Sequence, residues 1–541
     1  MKSDNQISKE YKARPIKDVA KELGIPENET YNFGPYITKV NGKLRGNKQG
    51  KLVLITSTSP NSRGVGKTTL AIGLNDALNQ LGESSIVCVR EPSLGPVFGT
   101  KGGACGGGYS QVYPVEDINL HFTGDFHAIT TLNNTIAATI DNHLHQGNEL
   151  NLDKDNILFK RCVDINDRTL RNILLAQGST ANGVERNEGF TITAASEIMA
   201  TIGICTSLED FTNRVEDIII GYTKEGKEVY VKDLKIRGAI AVLMKTAINP
   251  NLVQTLSGNA AFLHAGPFAN IAHGTNSLIA TKMAVSMSDY TVVEAGFGTE
   301  LGAEKFLNLV SKAAEFNVSH VVVVTTIPCL QEYSAKKDVK EGIKNLKQHI
   351  DHIKSYGIDF TVTLNKHETD TEEELEFVTK WLSDNNYNFA INEVFTKGAE
   401  GGIELAKKVM NANNDKIPTP LYELADSIED KIFNVVTKAY GATGYNLTEE
   451  AKEQLQQIKT TQYKDYPICI SKTPMSLSDD PKNRFTKEPF AINITGLKVY
   501  AGAKFIVIYC GNVLTMPGLG KVPNIMNIKY DFETEEIEGL S

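Results

Sequence analysis

The chain has a single tryptophan, Trp381, in 541 residues, no Cys-x-x-Cys pair, no excess of basic residues and no apolar run of membrane-spanning length. Each shortage excludes something. The seven cysteines (88, 105, 162, 205, 329, 469 and 510) are scattered and odd in number, which argues against a disulfide framework or zinc site and for reduced thiols in a cytoplasmic protein. Lys+Arg of 56 against Asp+Glu of 65 leaves a net charge of −9, so composition gives no argument for binding nucleic acid. The opening residues, Met1-Lys-Ser-Asp-Asn-Gln, lack the apolar core of a secretory leader, and a soluble chain without membrane contact is expected. The length accommodates about three or four domains.

What is present centres on Leu52-Val-Leu-Ile-Thr-Ser-Thr-Ser59-Pro60-Asn-Ser-Arg63-Gly64-Val65-Gly66-Lys67-Thr68-Thr69-Leu70. An apolar run ends in a glycine-bearing polar loop, and apolar residues at 70, 74, 77, 78 and 81 follow with helical spacing. In such a strand, loop and helix, the loop amides and the helix N-terminus favour an anion. Lys67 supplies a mobile positive charge for terminal phosphates, and the Thr68 hydroxyl is placed to ligate magnesium. Asn61 stands where the full pattern has its first glycine, and a glycine-rich βα turn with a solvated lysine is the bland alternative.

Further along, the strand Ser85–Val89 runs into Arg90 and Glu91, expected at the same sheet edge as the loop. Arg90 is a candidate for a second anion, against a plain strand-end salt bridge. Five glycines between 102 and 108 precede Tyr109 and a stretch rich in ligand-type side chains, including His121, Asp125 and His127. The six-residue spacing of the two histidines is not that of a helical zinc site. Gly238–Leu243, Tyr290–Glu294, His320–Thr325 and Phe360–Leu364 read as strands of a covered parallel sheet. Glu294, Asn365 and Lys366 lie at strand ends, and His264, Phe268 and His273 sit in a Gly/Pro/His/Asn loop that suggests a site.

The fold class is therefore α/β: a P-loop-containing, mostly parallel sheet with helices on both faces, plus a smaller C-terminal α/β domain. The expected division is a discontinuous nucleotide-binding unit (1–130 and 238–358), a mainly helical insertion (131–237) and a C-terminal unit closing a cleft (359–541).

Several long strings resemble the formate–tetrahydrofolate ligase (formyltetrahydrofolate synthetase) family: residues 90–99, 102–108, 116–128, 266–274, 294–298 and 301–306, continued by Asp479-Asp-Pro and Met516-Pro-Gly-Leu. The resemblance implies a homotetrameric enzyme joining formate to N10 of tetrahydrofolate through formyl phosphate. It implies ATP, Mg²⁺ and a monovalent cation, K⁺ or NH₄⁺, as cofactors. Carried onto this sequence, it puts ATP on Ser59, Pro60, Arg63 to Thr69, Asn365 and Lys366, and gives catalytic roles to Lys67, Thr68, Arg90, His121, Asp125 and His127. Thr68 is the metal ligand. Substrate contacts are implied for Arg90, Glu91, Tyr109, His264, Phe268, His273, Glu294, His367, Glu368 and Phe395.

The chain departs from the family pattern at Val65, where a glutamate is usual, at Thr275 and at Pro328-Cys-Leu-Gln-Glu-Tyr. In the implied pterin pocket it has His367-Glu368 for Phe-Pro and Phe395 for a tryptophan. Two other readings therefore stand beside the ligase: a paralogue activating a different carboxylate or serving a different acceptor, and a nucleotide-binding protein without catalysis.

Overall fold

The computed structural model describes residues 2–59, 64–99, 103–412, 417–484 and 489–540. A large twelve-stranded sheet organises them. Its main strands in chain order are β1 (Thr30–Phe33), β2 (Ile37–Val40), β3 (Lys51–Ser57), β4 (Ser85–Val89), β5 (Asn251–Thr255), β6 (Ala260–Leu263), β7 (Tyr290–Glu294), β8 (Val318–Thr325), β9 (Phe360–Asn365) and β10 (Phe389–Asn392). They lie side by side as β1-β2-β5-β6-β4-β7-β3-β8-β9-β10, and two short strands, Gly106–Gly107 and Ser110–Tyr113, join at β5.

Pairing is parallel from β6 through β10 and antiparallel at the β1-β2-β5-β6 end. The parallel strands are covered on both faces, which explains runs such as Val321-Val-Val-Val324, all fully buried. One covering helix is α1 (Lys67–Gln80), whose Leu70, Leu74, Ala77 and Leu78 are buried. Near the N-terminus, a helix spans Ile16–Glu22 and is followed by Gly24 at φ +73°.

Three expectations need correction. Gly238–Leu243 is not a strand but lies in the helix α3 that follows α2 (Asp125–His145); α3 spans Arg237–Met244. Within it Ile240 and Met244, one turn apart, are fully buried while Val242 is 73% exposed, so a short apolar run concealed a helical period. The 131–237 segment is not mainly helical. Beside helices such as Glu197–Ile204 it has strands at Leu152–Ile157, Arg161–Val163, Ile219–Thr223 and Glu228–Tyr230. Leu152–Ile157 (Leu-Asp-Lys-Asp-Asn-Ile) is polar over its four central residues, three of them exposed, so it lacks the apolar alternation that marks a strand. Finally, β9 and β10 extend the large sheet, so the boundary expected at 358/359 cuts through it.

A separate four-stranded sheet, ordered Tyr445–Leu447, Ile492–Tyr500, Phe505–Cys510, Ile468–Ser471, forms the C-terminal unit. It docks on the 264–276 loop: the Ser471 hydroxyl donates to the Asn270 carbonyl at 2.8 Å. No helix among the described residues is long and apolar enough to cross a membrane.

Candidate active site

Adjacent parallel strands end at one edge, so their last residues converge. Ser57 closes β3, Glu294 closes β7, Asn365 closes β9, and Arg90 follows β4. Into this edge comes the loop before α1. Gly64 and Gly66 have φ of +83° and +75°, the left-handed region that glycine adopts without strain, so the chain can curl ahead of the helix. A β-carbon on Gly66 would lie 2.9 Å from Asn365 Nδ2, and the same amide donates to the Val65 carbonyl at 2.7 Å. Thus Asn365 clamps the glycine turn. The Val65 side chain is 3% exposed and belongs to the apolar cluster with Leu70 and Ala71, so its departure from the family pattern is accommodated as core packing.

Lys67 donates to Ser57 Oγ at 3.2 Å, and Ser57 in turn donates to the Phe297 carbonyl at 2.8 Å. Desolvation lowers the Lys67 pKa, Glu294 opposes the shift and Arg90 adds to it. Thr68 donates to Glu294 Oε2 at 2.6 Å, while Arg90 Nη2 approaches Glu294 Oε1 at 3.4 Å. One carboxylate therefore joins the Thr68 hydroxyl to the guanidinium. Arg90 also donates to the Pro267 carbonyl at 3.3 Å, and a β-carbon on Gly296 would come within 3.0 Å of both its terminal nitrogens. That glycine lets the guanidinium lie flat against the β7 loop. The result is an edge with mobile and fixed cations, loop amides and a hydroxyl–carboxylate pair of hard oxygen donors.

Other expected site residues make their contacts outside this cluster or are buried beside it. Asp125 is buried in an ion pair with Lys39 at 2.8 Å and also accepts from Asn251 at 2.9 Å. Burial raises the pKa of Glu91, with the Asp125 charge adding to the shift and Lys39 opposing it. Asp125 thus acts as an interior counter-charge. His264 is buried, its ring nitrogens paired with Ser277 Oγ at 2.7 Å and the Ala247 carbonyl at 2.8 Å; burial lowers its pKa to about 4. His121 and His127 are exposed, and His127 Nε2 lies 3.5 Å from Thr131 Oγ1 on its own helix. His273 is fully buried, and burial with Lys305 and Arg90 nearby lowers its pKa to about 3. Phe268 is half-buried, its amide donating to the Ala194 carbonyl at 3.2 Å.

Phe395 and Tyr109 do come together. The Tyr109 amide donates to the Phe395 carbonyl at 2.9 Å, and both side chains are exposed, by 41% and 42%. β-Carbons on Gly107 and Gly108 would press on the Phe395 ring at 3.0 Å, which accounts for glycines there. Lys366, His367 and Glu368 are exposed; Lys366 reaches Glu372 at 3.7 Å, and the His367 amide donates to Asp370 at 2.8 Å. Ser59 meets a buried histidine. Thr69 stands in the first turn of α1, and Pro60 and Arg63 lie outside the described residues.

The family model for formate–tetrahydrofolate ligase matches residues 2–541. The chain belongs to the formate–tetrahydrofolate ligase family. A protein of Pseudothermotoga lettingae named formate–tetrahydrofolate ligase is 47% identical over 553 residues, covering 100% of each chain. Set against that family, the phosphate-loop, Arg90 and Glu294 cluster is its candidate active site. Sequence reasoning missed Ser57, Lys39 and His349. Ser57 looks like an ordinary strand-end serine; the other two lie far from any site string and carried no local signal. Glu300 and Lys305 were contained in or adjacent to a string quoted for the family, but without a role.

Proposed function

We propose that this protein is an ATP-dependent ligase joining formate to N10 of tetrahydrofolate, with 10-formyltetrahydrofolate, ADP and phosphate as products. The observation that carries the reading is Glu294 holding both Thr68 and Arg90 beside Lys67 at the ends of three neighbouring strands. In the first step a formate oxygen attacks the γ-phosphorus and ADP leaves. Lys67 and the loop amides stabilise the phosphoryl charge, and Arg90 holds the acyl phosphate through its two-pronged donor edge. In the second, the folate N10 attacks the formyl carbon, the C–O bond to phosphate breaks, and phosphate leaves as the N10 proton is released.

The Thr68 hydroxyl and Glu294 carboxylate are oxygen donors of the kind magnesium takes, and among the described residues no cluster of three or more His, Cys, Asp or Glu side chains competes with them. Magnesium, when bound, supplies charge neutralisation at the phosphates. The exposed Phe395, adjoining Tyr109, offers a stacking face for the pterin. His367 and Glu368 lie on the loop after β9 and are proposed to line the pterin pocket.

The resemblance also proposes a monovalent cation, tested by comparing rates in K⁺, NH₄⁺ and tetramethylammonium. A homotetramer is proposed with support from exposed apolar side chains such as Phe532, 90% exposed, and Met526, 67% exposed; sedimentation velocity tests it. Seven buried free thiols support a cytoplasmic location, which cell fractionation tests. The decisive experiment is incubation with ATP, formate and tetrahydrofolate. Chromatography should show 10-formyltetrahydrofolate and equimolar ADP; folded, ATP-binding protein that gives neither would refute the assignment.

A further inference from the structure

The residue at which the chain leaves β3 is held from below by a buried hydrogen-bond chain that the reaction chemistry does not use. His349 lies on α4 (Val339–Lys354) and is fully buried. Its Nε2 is 2.8 Å from the Ser59 amide nitrogen and 3.0 Å from Ser59 Oγ. An amide can only donate, so Nε2 is the acceptor and Nδ1 carries the proton. That proton points to Thr299 Oγ1 at 2.8 Å, and the Thr299 hydroxyl then donates to His352 Nδ1 at 3.0 Å. His352 Nε2–H continues to the Tyr356 hydroxyl at 3.3 Å. The first direction is fixed by the Ser59 amide, and the others are the arrangement consistent with it.

Ser59 is gripped on its other side too. Its carbonyl accepts from Cys329 Sγ at 2.9 Å, and Cys329 Sγ lies 3.3 Å from Thr58 Oγ1. The carboxylate facing the imidazole is Glu300, with Oε2 3.5 Å from His349 Nδ1, on the same side as Thr299. Burial, with His352 and Lys472 nearby, keeps His349 well below its usual pKa, so its acceptor lone pair is retained. A neutral ring locked by Thr299 is what a fixed acceptor for a backbone amide requires.

We propose that His349 is a positioning residue for the nucleotide: it fixes Ser59, and through it the direction in which the phosphate loop leaves β3, with Thr299 and His352 setting its tautomer. The inference rests on the reading that this loop binds ATP. It also commits the Ser59 N–H to His349 rather than to an anion.

Substitution at two chemical ends of the ring tests the proposal. In His349→Gln the side-chain carbonyl reaches the Nε2 position and still accepts from Ser59; in His349→Asn the shorter amide replaces Nδ1, meets Thr299 and leaves Ser59 unpartnered. Calorimetric titration with Mg·ATP alone should show Kd raised about tenfold for Asn and less than threefold for Gln. Thr299→Val, which frees the tautomer, should fall between them. The KM for formate should stay unchanged in all three, measured beside circular dichroism and melting temperature. Equal Kd values for the Gln and Asn variants would overturn the proposal, as would lowered melting temperatures with ATP affinity intact in the folded fraction. If His349→Asn does not fold, the Gln and Thr299→Val comparison decides by the same criterion. Wild-type protein that fails to bind ATP would overturn the underlying site reading, whereas variants that leave a measurable wild-type affinity unmoved would overturn the role of His349 alone.

Discussion

Replacing Arg90 by lysine keeps a positive charge but removes the planar fork, and the structure lets the two consequences be separated. In the folded protein Arg90 is 24% exposed and makes long contacts, 3.3 Å to the Pro267 carbonyl and 3.4 Å to Glu294. Contacts of that length, partly screened by water, are worth about 1 kcal/mol in stability. In the proposed reaction, by contrast, the guanidinium, packed against Gly296, would meet the developing acyl-phosphate charge with two parallel donors. Losing one preorganised donor at such a site costs about 100-fold in kcat, the lower end of the range because lysine keeps the charge. Arg90→Lys should therefore melt within a few degrees of wild type, bind Mg·ATP with unchanged affinity and form 10-formyltetrahydrofolate about 100 times more slowly. Steady-state product formation, calorimetry and thermal unfolding measure the three quantities. A kcat within threefold of wild type, or a matching loss of ATP affinity, would refute the assignment of Arg90 to the acyl phosphate.

Other substitutions probe the loop and the interior. Lys67→Ala, whose hydrogen bond is to Ser57 at 3.2 Å, should lower ATP turnover by about 100- to 1,000-fold while leaving urea unfolding nearly unchanged, as ADP release and fluorescence will show. Gly66→Ala places a β-carbon at φ +75° and 2.9 Å from Asn365 Nδ2; a destabilisation of about 1–2 kcal/mol in urea, with weaker ATP binding, is expected. Burial raises Glu304 to about 7 from 4.5, so its contribution to stability is present below pH 4.5 and lost as pH rises to 7. Glu304→Gln should remove up to about 3 kcal/mol of that pH dependence, seen as a flatter urea midpoint between pH 4.5 and 7. All seven cysteines are buried, and burial raises, for example, Cys469 to about 11; a thiol reagent at pH 8 should label none in native protein and seven after denaturation.

Local patterns were readable in proportion to how far their signals stayed local. The β3, loop and α1 unit appears within Leu52–Gln80 because an apolar strand, left-handed glycines and a helical period are neighbours in sequence. The polar strand Leu152–Ile157 lacked that contrast, and the helix Arg237–Met244 hid behind a run compatible with either period. Ligand-type residues were less reliable guides. Asp125 and His264 have the chemistry of a site, but Lys39, Asn251, Ser277 and the Ala247 carbonyl satisfy them internally.

By itself the sequence determined the α/β class, the strand, glycine-bearing loop and helix that carry Lys67 and Thr68, the candidacy of Arg90 and the family. Those depend on short spacings and on ordered strings of residues. Only the tertiary structure decided that Glu294, more than 200 positions from both partners, joins Thr68 to Arg90, and that His349 rather than a neighbour in sequence holds Ser59. Parallel strands bring distant chain segments to one edge, and burial then makes each polar group depend on whatever partner the fold supplies.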